Sequence, residues 1–301
     1  MFTVKSSLKS LFKNIGQPFA GGKRKKLLDS YLRNGRKPWS EGYYEFREDF
    51  IRQQLGDPDI LEKFRSHAQL PEKYAEFLDE RTVEYPWFLT RVNSGSGKLL
   101  DAGSALNYDF MLDQLQLSSK NIILFTLSQE PNQFIRENIT YQYGDLRALS
   151  FPDNFFDEVA CISTLEHVGM DNTLYARDLK YKEHHEKDFM IAINELRRVV
   201  KPGGKVYITV PFGKYTDFGW YQQFDSALLE KLISTFAPAK HTETFFCYES
   251  GGWNFCDKAK AAQSEGFDMQ GTRYYNSKST KDYDPDFAAG SRGIAALELW
   301  K

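Results

Sequence analysis

Long apolar runs are absent from this chain of 301 residues. No stretch approaches the roughly 18 consecutive apolar residues that read as a membrane-spanning helix. Met1 to Gly16 also lacks the continuous apolar segment of a secretory signal. Cysteine is scarce: Cys161, Cys247 and Cys256 have no metal-ligand spacing, and three thiols cannot pair completely. Such usage makes a reduced, cytoplasmic setting the default and predicts no metal centre. The net charge of −2 gives no global case for a nucleic-acid partner. Glycine is missing where a dinucleotide loop needs it, because Ala105 and Asn107 stand where the second and third glycines would follow Gly103. These absences exclude a membrane-spanning protein, a disulfide scaffold and a loop built to cradle a pyrophosphate.

What is present is unevenly distributed. Hydrophobic residues make up 41% of the chain and aromatics 15%, enough for one large α/β domain with additions. Residues 1–40 hold ten Lys or Arg against Asp29 alone, a local +9 that leaves −11 for the remainder. This basic amino-terminal extension places Phe2, Leu8, Leu11, Phe12 and Ile15 among Lys5, Lys9 and Lys13 at amphipathic helical spacing. Gly21 to Lys26 then reads as a flexible basic hinge. Residues 1–26 therefore suit peripheral contact with an anionic membrane surface, or packing on the chain's own domain. Residues 41–92 have a helical pattern, from Phe46, Phe50, Ile51 and Leu55 to Val83, Trp87 and Leu89. Within it Arg81 offers a clamp for a carboxylate, and Tyr85 or Trp87 an aromatic wall for a cation.

Three blocks between residues 93 and 301 carry most information. In the first, Lys98 to Phe110, Leu99 and Leu100 end a buried strand, Asp101 sits at its carboxyl end, and Gly103 permits a tight turn into a helix from about Asn107. In the second, Gly144 to Val168, a strand over Ile139 to Tyr143 delivers Gly144-Asp145. Pro152-Asp153-Asn154 turns the chain into a further strand from Phe156 to Ile162, followed by Ser163 to Val168. In the third, Glu195 to Gly213, a helix over Asp188 to Val200 stops at Pro202-Gly203-Gly204 and a strand follows from Lys205 to Val210.

In this order the blocks resemble the class I S-adenosylmethionine-dependent methyltransferases, most closely the type 11 group, over about half the chain. The resemblance implies an α/β fold: a Rossmann-like, doubly wound, seven-stranded, mostly parallel sheet at residues 93–301, with insertions at about 169–187 and 251–292 and a helical cap at 41–92. It implies S-adenosyl-L-methionine as cofactor, which has no phosphate and demands less of the glycine loop. Asp101, Gly103 and Ser104 would line its crevice. Asp145, with Leu146, would receive the adenine amino group, and Thr164 and Leu165 the methionine part; Arg81 is the candidate clamp for the cofactor's carboxylate. Asp157 falls at a position that is structural.

One departure stands out. The second strand, Asn121 to Ser128, carries Thr126 where the family usually places an acid for both ribose hydroxyls, and the nearest carboxylate is Glu130. Losing that acid costs on the order of 2 kcal/mol unless Glu130 or a water replaces it.

Methyl transfer chiefly needs alignment of donor and acceptor. For a hydroxyl acceptor a base helps, and His167 at the strand's mouth has the residue type and the place. Trp220 and Tyr221, in the aromatic and polar stretch after the last parallel strand, are candidates for binding the acceptor. The chain is thus expected to methylate a small polar acceptor, with a sugar or glycan hydroxyl favoured. Its alternative is a non-catalytic binding or scaffold protein on the same fold. A nucleotide-dependent oxidoreductase, suggested by the spacing of Tyr274 and Lys278, is disfavoured because that pair lies far from the expected helix.

Overall fold

The computed structural model describes residues 21–249, 251–272 and 279–301, so the amphipathic stretch before Gly21 and the Tyr274/Lys278 pair lie outside the described residues. The chain forms two compact units. Of the described residues, the first gathers 21–90, 247–249, 251–255, 267–272 and 279–292, and the second 91–246, 256–266 and 293–301.

In the first unit, α1 (Gly21–Arg33), α2 (Tyr43–Leu55), α3 (Pro58–Ser66) and α4 (Arg81–Leu89) succeed one another. The basic stretch read as a hinge is the start of α1, because Leu27, Leu28 and Tyr31 continue a helical apolar face. Tyr31 is fully buried, its ring 5.2 Å from Phe46 and 6.0 Å from Tyr43. Helix α3 starts where Asp57 accepts from the backbone N–H groups of Asp59 and Ile60, with Pro58 in its first turn. Trp253 belongs to the same unit: its Nε1 donates to the Leu78 carbonyl at 2.9 Å.

The second unit is built on β1 (Lys98–Ala102), β2 (Asn121–Thr126), β3 (Ile139–Tyr143), β4 (Phe156–Ile162) and β5 (Val200–Pro211), followed by a short β6 (Thr216–Asp217) and β7 (Gln222–Gln223) pair. β10 (Gly293–Trp300) and all but the last three residues of β8 (Lys240–Glu249) complete this unit, whereas β9 (Gly252–Cys256) falls, but for Cys256, among the residues of the first; the sheet has the order β3-β2-β1-β4-β5-β10-β8-β9. It has eight strands where seven were expected, since the chain turns back after β8 and forms β9 within what the sequence suggested was an insertion. β1 to β5 are parallel and β10 is antiparallel to β5. Every residue of β4 but Asp157 is buried, as expected for a strand covered on both faces.

Two local differences from the sequence expectations have simple causes. The helix anticipated from Asn107 is two single turns, α5 (Asp109–Leu112) and α6 (Leu115–Ser118), because Gln114 between them is extended at ψ 140°. The Lys201-Pro-Gly-Gly204 turn does not precede β5 but lies inside it. Phe156 pairs with Val200 and Glu158 with Lys205, so the turn is a bulge against β4. Further helices are α7 (Thr173–Ala176), α8 (Phe189–Val199), α9 (Ser226–Phe236) and α10 (Lys258–Ala261). Cys247 and Cys256 are disulfide-bonded, a pairing that a count of three had not suggested, and Cys161 is the free, buried cysteine.

At the amino ends of the parallel strands the polar groups satisfy one another. Glu158, 2% exposed, receives Lys120 Nζ at 2.6 Å, Tyr207 Oη at 2.6 Å and the Asn93 N–H at 3.0 Å. Asp157 accepts from the Lys98 N–H at 2.8 Å and from Lys201 Nζ, in keeping with the structural role read from its position.

Candidate active site

Strand order reverses between β1 and β4, since β2 and β3 lie to one side of β1 and β5 lies beyond β4. In open parallel sheets a ligand crevice forms at such a switch point, outside the carboxyl ends of the strands. The residues leaving β1, β2 and β4 meet there. Gly103, at φ 124°, donates its N–H to the Phe125 carbonyl at 2.8 Å, and a Cβ built on it would lie 2.1 Å from Thr164 Oγ1. No side chain fits between the two loops at that point.

Asp101 is fully buried, and its carboxylate accepts from the N–H groups of Ala105 at 3.1 Å and Leu106 at 2.8 Å. It therefore holds the loop after β1 in shape. The turn leaves Ser104 at φ 61° and only 8% exposed, its Oγ buried with no hydrogen-bond partner. Beside it lies Glu130. Burial pushes the Glu130 carboxyl up from its ordinary pKa, opposed by Ser104 and Asn107, which favour the ionised form. Asn107 anchors the segment after β2: its Nδ2 donates to the Asn132 carbonyl at 3.1 Å and its Oδ1 accepts from Tyr141 Oη at 2.8 Å. Asn132 Nδ2, also buried, has no partner. The chain thus brings Glu130 back to the loop of β1, near the ground that Thr126, partly exposed at the end of β2, leaves without an acid.

Beyond β3, Asp145 is half-buried and Leu146 is 7% exposed. Burial pushes the Asp145 carboxyl up, but hydrogen bonds from the Arg147 side chain and N–H outweigh it and hold the group below its ordinary pKa. Beyond β4, Thr164 is partly exposed, and Leu165 and Glu166 are buried in the turn that also contains His167. The His167 Nδ1 lies 2.8 Å from the Trp220 carbonyl oxygen. A carbonyl only accepts, so Nδ1 carries the proton and Nε2 is the basic nitrogen. Around this imidazole stand Tyr175 and Trp220, each with its ring 5.2 Å away, and Tyr221 at 5.9 Å. Trp220 Nε1 is buried without a partner, and Tyr221 stacks on Phe218 at 4.6 Å.

The candidate residues of the second unit thus gather along one sheet edge. Arg81 lies in the first unit, on α4, where its guanidinium donates to the fully buried Glu84. Tyr85 and Trp87 are core residues there, both 0% exposed. Sequence reasoning passed over Asn107, Arg147 and Tyr175; the signal for Arg147 was its place two residues after Asp145, and for the others there was none. Among the described residues, His184, Glu186 and Asp217 are the grouping with metal-ligand types. All three are exposed, with His184 Nε2 at 3.1 Å from Asp217 and 3.5 Å from Glu186.

Residues 94–208 match the family model described as "Methyltransferase domain". No protein of curated function matches the chain. Among solved structures, a proposed methyltransferase from Bacillus halodurans C-125 is 11% identical, with 72% of this chain and 98% of that one covered at a TM-score of 0.43. The 1,6-didemethyltoxoflavin-N1-methyltransferase of Burkholderia thailandensis, solved with bound 1,6-didemethyltoxoflavin and S-adenosylhomocysteine, is 14% identical, with 95% and 92% covered at 0.42. The [4+2]-cyclase SpnF is 18% identical, with 70% and 76% covered at 0.42. Two features suit a cofactor at the switch point: the close approach of Gly103 to Thr164, and the buried, unpartnered Ser104 Oγ and Asn132 Nδ2. The matched segment spans the first two sequence blocks and most of the third, so residues 94–208 are similar to a methyltransferase domain.

Proposed function

We propose that this chain is an S-adenosylmethionine-dependent methyltransferase acting on a hydroxyl of a small polar acceptor, a sugar or glycan intermediate, with His167 as general base. The observation that carries the proposal is the bond between His167 Nδ1 and the Trp220 carbonyl. It fixes the tautomer in which Nε2 takes a proton. The bound cofactor supplies a methyl carbon on positively charged sulfur. Nε2 would take the proton of an acceptor hydroxyl as that methyl is transferred to its oxygen, and the imidazolium would keep its Nδ1–H on the Trp220 carbonyl. A base in this position contributes roughly 10²- to 10⁴-fold. Tyr175, Trp220 and Tyr221 supply flat apolar faces for a ring, and Trp220 Nε1 a donor for one of its oxygens.

In the same proposal Glu130 takes the ribose hydroxyls in place of an acid at the end of β2, and Asp145 accepts from the adenine amino group. His167→Ala should lower kcat about a hundredfold or more, while leaving affinity for S-adenosylhomocysteine within about twofold. Turnover undiminished in that variant would exclude His167 as base, and a library of sugar, phenol and amine acceptors tests the substrate class directly.

A further inference from the structure

Arg147 is a single guanidinium among three carboxylates from separate segments. It meets Asp145, past the end of β3, through Nε at 3.0 Å and Nη2 at 2.7 Å. It reaches Glu183 through Nη1 at 2.7 Å and Nη2 at 3.0 Å, and Asp188, just before α8, through Nη1 at 2.7 Å. Glu183 belongs to the segment from Gly169 to Lys187, which leaves the turn after β4. That segment is fastened elsewhere too. Ser128 Oγ, beyond β2, donates to the Tyr175 carbonyl at 3.1 Å, and the Asp171 N–H donates to the Gly219 carbonyl, beyond β5, at 3.0 Å. With the strand order β3-β2-β1-β4-β5, these anchors lie on both sides of the β1/β4 switch point, so the segment crosses the crevice as a strap.

We propose that Arg147 is a positioning residue that ties this strap to the adenine-binding carboxylate, so that release of the cofactor product requires breaking the Arg147–Glu183 bridge. This rests on the placement of adenine at Asp145. A guanidinium fork satisfies two carboxylates at once because its donors lie in one plane and point apart. When the strap lifts, Glu183 leaves a site still carrying Asp145 and Asp188, and Arg147 loses one of its three partners. Strap opening and loosening of Asp145 are then the same event, and bound adenine, by engaging Asp145, resists both.

The test is stopped-flow displacement of S-adenosylhomocysteine from wild type, Glu183→Gln, Glu183→Lys and Asp145→Asn, at low salt and at 1 M salt. Glu183→Gln should release the ligand about fivefold faster at low salt, with the gap closing at high salt as for any partly exposed ion pair. Glu183→Lys should release it faster still. The unfolding midpoint of the unliganded protein should stay put in both, which separates this role from a merely structural one. Release as slow as wild type in both Glu183 variants, with Asp145→Asn weakening affinity, would overturn the role of Arg147 while leaving adenine in place. Unchanged affinity in Asp145→Asn would overturn the placement of adenine and the coupling with it.

Discussion

The two ends of the parallel strands bury polar groups in opposite ways. At the amino ends Glu158 has three donors, and its partner Lys120 is 2% exposed. At the carboxyl ends Ser104 Oγ and Asn132 Nδ2 are buried without partners, and Glu130 is desolvated enough to hold its proton more tightly than usual. Desolvation costs both ends alike. The amino end offsets that cost through Glu158, where Tyr207, raised far above its ordinary pKa by burial and by the charge of Glu158, stays a neutral donor, and the carboxyl end does so at Asp101 but not at Ser104 and Asn132. The carboxyl end leaves part of it for a ligand to offset, as a binding edge must.

The contrast can be broken most forcefully from the amino end. Glu158→Leu strands the Lys120 ammonium, and the loss should be about 3–5 kcal/mol in urea unfolding. A loss under 1 kcal/mol would mean that water reaches this network and that the two ends are less different than they look. Next in size is Gly103→Ala, which drives a methyl group against Thr164 in a conformation that disfavours any Cβ. Strain of about 1–3 kcal/mol should appear in unfolding, with S-adenosylhomocysteine affinity falling at least tenfold by calorimetry. Undisturbed affinity would remove the crevice from this point of the sheet.

The smallest effect sharpens the comparison by its sign. A carboxyl whose folded pKa is raised contributes stability that is present below its unfolded pKa and is lost as pH rises through the folded one. Glu130 is such a group, so Glu130→Gln should leave stability at pH 7 unchanged or slightly higher, whereas its affinity for S-adenosylhomocysteine drops roughly three- to thirtyfold. A stability loss instead would show Glu130 to be a structural partner like Glu158. Asp157 gives the opposite pH signature. Burial works against its charge, but Lys201 and the Lys98 N–H hold its carboxyl below the ordinary value, so its contribution is present above the unfolded pKa and fades as pH falls through the folded one.

The legible part of the site was the part carried by local pattern. Leu99 and Leu100 before Asp101, the single Gly103, Gly144-Asp145 after a strand and the turn at Thr164 are all readable along the chain, and their order implies the crevice. Illegible were contacts joining residues far apart in sequence: Glu130 returning to Ser104, the Trp220 carbonyl on His167, and Glu183 and Asp188 on Arg147. Pattern also misjudged places where a local signal was overruled. The Lys-Pro-Gly-Gly segment looks like a terminator, yet β5 continues through it, because β4 pairs with the strand on either side of the bulge and β10 pairs with it beyond. The basic stretch from Gly21 looks like a hinge, yet Tyr31 buries its ring and carries α1 through it.

By itself, then, the sequence determined the alternation of strand and helix, the edge of the sheet on which its candidate site residues gather and the likeness of residues 94–208 to a methyltransferase domain. Hydrophobic periodicity and turn residues are short-range signals that survive without coordinates. Tertiary structure alone decided which polar groups are satisfied and which wait for a ligand, which histidine nitrogen is basic, and what fastens the strap. Hydrogen bonds and ion pairs of this kind depend on ångström-scale distances between segments, and residue spacing along one chain does not encode those distances.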